Sequence, residues 1–195
     1  MEYQQLIALI TFALVSTVSP GPNNIMLMTS GANVGFIRTI PHMLGITLGF
    51  SLMVVLVGFG VMGLFTAYPV VQQGLRIVSI LYLVYLAAKI ANSKPMTSAE
   101  SDYRPMSFLS AASFQWVNPK AWTMALTAIS VYAASAELPD ILLVSLIFGL
   151  INIPSVSLWA IAGKQLQRIL QAPNRIKMFN YCMAGLLVFS IVPML

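Results

Sequence analysis

The sequence predicts an all-α membrane protein whose six transmembrane helices form a 3+3 inverted-topology repeat, with both termini facing outward. Three observations lead to this fold class. The chain is 58% apolar and only 8% charged, whereas soluble domains contain about 25% charged residues. Apolar stretches long enough to cross a hydrocarbon core occur at six places. Short matches with one common offset also relate the two halves of the chain.

The composition indicates the surrounding solvent and excludes several kinds of site. A mean hydropathy of +0.86 would give a soluble protein exposed apolar patches of unusual size, so the lipid bilayer is the expected partner. One cysteine, Cys182, excludes an internal disulfide. One histidine and one cysteine are also too few for a zinc or copper site. We therefore expect neither a metal ion nor another cofactor.

Apolar length predicts six spans, and the start "MEYQQLIALI" is expected to be retained because it lacks the basic region of a cleaved signal. The spans cover Leu6–Met28, Met43–Phe65, Val70–Ile90, Phe108–Ala134, Ile141–Gly163 and Met178–Leu195. Prolines are expected to mark the gaps between them: Pro41, Pro69, Pro95, Pro105, Pro139 and Pro173. The chain is thus expected to be one transmembrane domain, 1–195, with repeat halves of about 1–95 and 105–195.

The positive charges predict the orientation, because cytoplasmic loops carry the excess of Lys and Arg. Arg76 alone belongs to the opposite side, and Lys120 lies within a span. The remaining basic residues flank loops one, three and five: Arg38, Lys89, Lys94, Arg104, Lys164, Arg168, Arg175 and Lys177. These loops are expected inside and both termini outside. The net charge of +5 follows from this topology, so no nucleic-acid partner is expected.

Three short matches relate the halves of the chain. "VSP" at 18–20 matches "VNP" at 117–119, "RI" at 76–77 matches "RI" at 175–176, and Tyr82 matches Tyr181. Because each half has an odd number of spans, the second half enters the membrane from the other side. Transporters with inverted repeats hold substrate near the midplane, where broken helices of the two halves meet, and give alternating access by rocking around that site.

Prolines inside the spans indicate where helices are broken, since a proline in a helix interior costs roughly 3 kcal/mol. Pro20 and Pro22 interrupt the first span, and Pro119 interrupts the fourth, its counterpart in the second half. Pro154 and Pro193 lie in the fifth and sixth. A single proline can be a simple kink whose freed carbonyls bond to neighbouring helices. Two matched breaks, each flanked by asparagine, favour a binding site.

The first break offers groups that suit a carboxylate. Ser19, Asn23 and Asn24 supply a hydroxyl and two amides, and Gly21 allows a ligand close to the backbone. The half-helix that starts near Pro22 directs free N–H groups and a positive dipole end into the gap. An amino acid carries the carboxylate that this arrangement would bind.

Lys120, in "QWVNPKAW", is the one basic residue well inside a span, where a lone cation costs about 3 kcal/mol or more. The acids lie at span ends or in loops: Glu2, Glu100, Asp102, Glu137 and Asp140. The partner of Lys120 must then be a ligand carboxylate, water or a backbone carbonyl, unless its long side chain reaches the membrane surface. Lys120 is also a candidate carrier of a coupling proton.

Several other residues have a structural or a functional interpretation. His42 is expected to form hydrogen bonds at the membrane interface, and Gly45 and Gly49 are expected to pack against another helix. The tryptophans are either interfacial anchors or cavity walls: Trp116, Trp122 and Trp159. The full predicted substrate-binding set is Ser19, Pro20, Gly21, Pro22, Asn23, Asn24, Asn118, Pro119, Lys120 and Asn152.

Three segments resemble a known family. "SPGPNN" in the first span, "GFIRTIPHMLGITLGF" at 35–50 and "FQWVNPKAW" at 114–122 are similar to the LysE/RhtB family of bacterial amino-acid exporters, and the likeness covers nearly the whole chain. The resemblance implies six helices, a multi-pass position in the bacterial inner membrane, which makes the outward-facing termini periplasmic, and efflux of amino acids or derivatives driven by the proton gradient.

One position departs from the family pattern. Many members carry aspartate after the second proline, where this chain has Asn23, and its "PGPNN" form resembles the branch that exports cysteine and O-acetylserine. The departure removes an acid that would pair with a substrate ammonium or with Lys120. It argues against proton coupling through that position, and against lysine export, because a dibasic substrate needs an acid in the cavity.

The sequence therefore supports a secondary exporter of a small neutral amino acid or derivative, such as cysteine, O-acetylserine, threonine or homoserine. An auxiliary membrane subunit without transport activity and a channel remain alternatives, and homo-oligomerisation is left open. A membrane enzyme is disfavoured, because no His, Asp or Glu lies deep enough in a span to form an acid/base pair.

Overall fold

The computed structural model describes residues 1–61, 67–93, 103–133, 137–170 and 172–192, and every regular element within them is helical. In chain order these are α1 Tyr3–Val18, α2 Pro22–Leu56, a π-helical turn Val57–Val61, α3 Pro69–Ala91, α4 Phe108–Phe114, a 3₁₀ turn Gln115–Val117, α5 Pro119–Tyr132, α6 Leu138–Ile169 and α7 Pro173–Phe189. The all-α prediction is confirmed for this part of the chain.

Within the described residues, three helical segments are long and apolar enough to cross a membrane: Pro22–Val61, Gln73–Ala91 and Leu138–Leu166. α1 is also apolar but has only 16 residues. Large apolar side chains face outward, including Leu48, Leu146 and Phe189, as lipid contact requires. These features fit a membrane protein, and the count of six spans stays a prediction.

α2 folds back on itself at Gly35, so it is two arms, 22–34 and 36–56. The Ser30 hydroxyl lies 3.5 Å from His42 Nδ1, whereas twelve residues of continuous helix would hold them about 18 Å apart. Gly35 has φ +79° and ψ 176°, a backbone conformation that other residues rarely adopt. The predicted gap between the first two spans, 29–42, is therefore wrong, because both arms extend into it.

Three of the prolines expected in gaps mark helix starts, whereas Pro105 lies in the non-helical stretch before α4 and Pro154 lies inside α6. Pro69 and Pro173 begin α3 and α7, and Pro139 lies in the first turn of α6, as predicted. Pro41 was expected in a gap, but it lies inside α2 on an exposed face. A proline at this position removes the hydrogen bond to the carbonyl four residues before it. Pro95 and Pro193 lie outside the described residues.

Contacts between the helices give their relative directions. Gly58, Ser51 and Thr47 meet Ile141, Ser145 and Asn152, respectively, so α6 is antiparallel to arm 36–56. α4 is parallel to that arm, because its residues 108 and 112 meet the backbone at 45 and 49. α1 is parallel to α6, since its residues 12 and 18 contact residues 148 and 159.

Small residues let the helices approach closely. A Cβ on Gly45 or Gly49 would collide with the α4 backbone, so the predicted packing role of this pair is confirmed. The sequence analysis missed a tighter crossing, where Gly31 of arm 22–34 faces Ala160 and Gly163 of α6 faces Met28. These crossings bring both helix breaks to the centre of the bundle.

Candidate binding site at two helix breaks

The first break, 19–21, ends α1, and side chains from elsewhere bind the carbonyls that the helix leaves unpaired. The Asn24 amide donates to the carbonyls of Thr17 (2.7 Å) and Ser19 (2.8 Å). Trp159 Nε1, from α6, donates to the carbonyl of Val18 at 3.1 Å. The open end of α1 is therefore held by hydrogen bonds to two other helices.

Lys120 is bound at the same end of α1. Its Nζ donates to Ser19 O (2.5 Å), Ser19 Oγ (2.8 Å) and Pro20 O (3.4 Å), where the helix dipole places negative partial charge. Backbone carbonyls are thus the partner of Lys120 in this structure. Its side chain passes directly over Gly21, where a Cβ would lie 2.7 Å from Lys120 Cδ, so Gly21 makes room for the lysine.

The second break is built differently. The 3₁₀ turn Gln115–Val117 ends α4, and Pro119 is the first residue of α5. The buried Asn118 side chain caps α5 by accepting a hydrogen bond from the backbone N–H of Lys120 at 3.1 Å. At the first break the corresponding N-cap position is Gly21, which has no side chain to cap arm 22–34.

An amide pair joins the two breaks. Asn23 Nδ2 donates to Gln115 Oε1 at 2.8 Å, and Gln115 Nε2 donates to Asn23 Oδ1 at 3.3 Å and to the carbonyl of Ala111 at 2.8 Å. Gln115 is fully buried. The sequence analysis missed it, although a polar residue four positions before Pro119 in an apolar span was the available signal.

The two breaks and two long helices enclose a cavity with about 380 Å³ of empty space, including its open side. Its lining comprises Ser16, Thr17, Gly21, Asn23, Asn24, Ile46, Phe50, Gln115, Asn118, Lys120, Ala121, Met124 and Asn152. Apart from Lys120, these lining residues are uncharged, and Ile46, Phe50 and Met124 form an apolar wall. The cavity is therefore mainly amide-lined on one side and apolar on the other.

Six of the ten predicted site residues line this cavity: Gly21, Asn23, Asn24, Asn118, Lys120 and Asn152. Asn152 also donates to Thr47 Oγ1 at 3.0 Å. The other four lie beside the lining: Ser19 and Pro20 bind Lys120, while Pro22 and Pro119 begin helices. The structure brings the predicted residues together, and their binding of substrate stays a prediction.

His42 is buried, and of the two interpretations of the tryptophans the described cavity lining does not support cavity walls. His42 was expected at the membrane interface, but it is buried against Ser30, which also contacts the Tyr103 hydroxyl at 3.0 Å. His42 belongs to arm 36–56, which already begins at residue 36, so it lies within that arm and not at its start. No tryptophan is among the cavity-lining residues: Trp122 Nε1 donates to the carbonyl of Trp116 at 2.8 Å.

Comparison with known proteins gives two results. The family model described as "LysE type translocator" matches residues 14–192. A cysteine/O-acetylserine efflux protein of Klebsiella pneumoniae is 30% identical over 190 residues, covering 95% of this chain and 94% of that protein. Its counterpart in Escherichia coli K12 is 30% identical over 184 residues, with 93% of each chain covered. No solved structure matches the chain.

Proposed function

The chain belongs to the LysE family of translocators, and from this membership we propose that it exports a small neutral amino acid or derivative across the inner membrane. LysE-family proteins are transporters rather than enzymes. The observation that carries the proposal is the cavity between the two helix breaks, where an uncapped helix N-terminus and Lys120 face a lining without acidic side chains.

The carboxylate of the substrate is assigned to the start of arm 22–34. Gly21 offers no capping side chain, so the first N–H groups of the arm are available to an anion, which the positive end of the helix dipole also favours. Lys120 lies next to this N-terminus, because its side chain crosses Gly21. The two features together supply donors and positive charge for one carboxylate.

The amino group of the substrate is assigned to Asn23, Asn118 and the carbonyls at the break. Because none of the lining residues that the structure describes is acidic, a second positive charge on the substrate would remain uncompensated, which disfavours dibasic amino acids. Cysteine and O-acetylserine, which the relatives are named for, have short side chains that are mainly uncharged at neutral pH. Ile46, Phe50 and Met124 would contact such a side chain.

Six spans in two inverted halves remain the proposed topology. The directions of the helices support it: α1 is parallel to α6, and its counterpart α4 is parallel to arm 36–56. The distribution of Lys and Arg supports periplasmic termini. Single cysteines at residues 2 and 192, in a Cys182→Ser background, should react with a membrane-impermeant maleimide in intact cells. Protection of both in intact cells would contradict this orientation.

Counterflow in proteoliposomes tests the transport proposal. Vesicles loaded with an unlabelled amino acid should transiently accumulate the same labelled amino acid when it is small and neutral, and protein-free vesicles should not. Lys89→Ala, which removes an exposed lysine of α3, should show the same counterflow as the wild-type protein. If no amino acid exchanges, the transporter proposal is wrong, and an auxiliary subunit or a channel becomes the better description.

Coupling to protons is proposed separately, with Lys120 as the candidate carrier. The vesicle lumen represents the cytoplasm in this assay. With the membrane potential clamped, net efflux should accelerate when the lumen is made alkaline relative to the outside. Efflux that does not respond to the gradient would contradict proton coupling and leave amino-acid export intact.

A further inference from the structure

We propose that the ammonium group of Lys120 occupies, beside the cavity, the position that the α-ammonium group of the substrate takes on binding. Lys120 then takes the place of the substrate's ammonium group, and the substrate displaces the lysine when it binds. This inference rests on the proposed amino-acid export and deepens it by assigning the ammonium position and the displacement step.

The position is defined by three oxygen atoms, Ser19 O, Ser19 Oγ and Pro20 O, which we call the ammonium seat. Lys120 Nζ donates to them at 2.5, 2.8 and 3.4 Å. An alkylammonium and the α-ammonium of an amino acid carry the same charge and the same three donors. Whatever binds the one in this geometry suits the other.

The cavity offers a substrate ammonium no better partner. The described lining contains no carboxylate, so negative charge is concentrated at the C-terminal end of α1, where the helix dipole adds to the free carbonyls. The Thr17 and Val18 carbonyls there are bound by Asn24 and Trp159, whereas the Ser19 carbonyl accepts from both Asn24 and Lys120. The seat that Lys120 fills is therefore where the two ammonium groups compete.

Displacement of Lys120 need not leave its charge unpaired. The side chain is long, only partly buried, and crosses Gly21 to reach the seat. The N-terminus of arm 22–34, the proposed carboxylate position, begins at the next residue, Pro22. When the substrate ammonium enters the seat, Lys120 can turn to the substrate carboxylate. One cation remains at the end of α1, and each charge has a partner before and after binding.

This exchange has a consequence for the transport cycle. An exporter that works without counter-substrate must return empty, and an empty seat would leave the Ser19 carbonyl with Asn24 as its donor and the Pro20 carbonyl without the bond from Lys120. Lys120 supplies the positive charge there in the absence of substrate. Without Lys120, the loaded transporter keeps a cation in the seat while the empty one does not, so net efflux should suffer more than exchange between two loaded forms.

The test compares net efflux with counterflow in Lys120→Ala, with Lys89→Ala as control. We expect both activities to fall, because the substrate carboxylate loses a partner, but net efflux should fall about tenfold or more further than counterflow, because the lost charged hydrogen bonds of the substrate-free form contribute about 1.5–3 kcal/mol each. Methylammonium, which fits the space of the deleted side chain, should restore net efflux. An equal loss of both activities without rescue, or unchanged net efflux, would overturn the proposal.

A second variant protects the test against misfolding of Lys120→Ala. Gly21→Ala keeps the lysine but places a Cβ 2.7 Å from its Cδ, and the φ of −177° at this position suits alanine. It should lower net efflux more than counterflow, and equal effects on both would contradict displacement from the seat. Wild-type protein that shows no counterflow with any amino acid would instead refute the proposed function itself.

Discussion

Lys120 and Ser19 are joined by two hydrogen bonds although 101 residues separate them in the chain. The bonds link the helix break of the second half to the helix break of the first. The amide pair between Asn23 and Gln115 joins the same two breaks at a second point. The candidate site is therefore shared between the halves, and substitutions on either side should affect it.

Asn23→Asp should change substrate selectivity. It places a carboxylate in a cavity whose described lining has none, and opposite charges 4 Å apart attract by about 4 kcal/mol at an effective dielectric constant of about 20. The cost of desolvating the charges offsets most of this attraction. We therefore expect lysine to compete about tenfold better against the labelled neutral substrate in counterflow, since about 1.4 kcal/mol corresponds to tenfold.

Asn174→Asp adds the same charge at an exposed position in the first turn of α7 and serves as the control. It should leave the competition by lysine unchanged. Equal competition in wild type, Asn23→Asp and Asn174→Asp would show that the cavity lining does not set the charge preference.

Asn180→Leu should destabilise the fold without touching the cavity. Asn33 and Asn180 are both fully buried, and their amides donate to each other at 2.9 and 3.3 Å. Removing one partner leaves a buried amide unsatisfied, at about 1–3 kcal/mol. The thermal midpoint of the detergent-solubilised protein should fall, and the double variant Asn33→Leu/Asn180→Leu should be more stable than the two separate losses predict. Strictly additive losses would contradict direct pairing.

Gly31→Ala should be strongly destabilising, because its Cβ would lie 2.1 Å from the carbonyl oxygen of Ala160. Overpacking of this kind costs about 1–3 kcal/mol or more. Gly185→Ala in α7 is the matched control, since its Cβ would meet open space and alanine favours a helix by about 1 kcal/mol. The thermal midpoint should fall for Gly31→Ala and rise for Gly185→Ala. Equal midpoints would mean that the crossing is looser than described.

Tyr103 should make stability depend on pH in the alkaline range. Burial raises the pKa of Tyr103 to about 12, opposed by the hydrogen bond with Ser30. Because the folded pKa exceeds the unfolded value of about 10, the stabilisation is complete below pH 10 and is lost as pH rises toward 12. Tyr103→Phe should lose less stability than wild type between pH 9 and pH 11, and identical pH profiles would contradict the assignment.

The paired helix breaks were predictable, whereas the partners of the polar side chains were not. Pro20, Pro22 and Pro119 cannot continue a helix, so their positions alone located both breaks. A reversal between the first two spans was predicted within residues 29–42, but not its restriction to Gly35, because Arg38 and Pro41 indicated a loop there and a positive φ leaves no trace in the composition. The carbonyl partners of Lys120 were one of several possibilities, since carbonyls occur at every residue and only the three-dimensional structure selects among them.

The crossing where Gly31 faces Ala160 and Gly163 faces Met28 also restricts how the molecule can rearrange. Arm 22–34 belongs to the first half of the chain and α6 to the second, yet their backbones already touch at this crossing. Tilting one complete half against the other would pull this contact apart and leave a gap that no side chain fills. A division into a mobile and a stationary group that keeps arm 22–34 with α6 avoids that loss, so the boundary of movement should cut across the duplication rather than follow it.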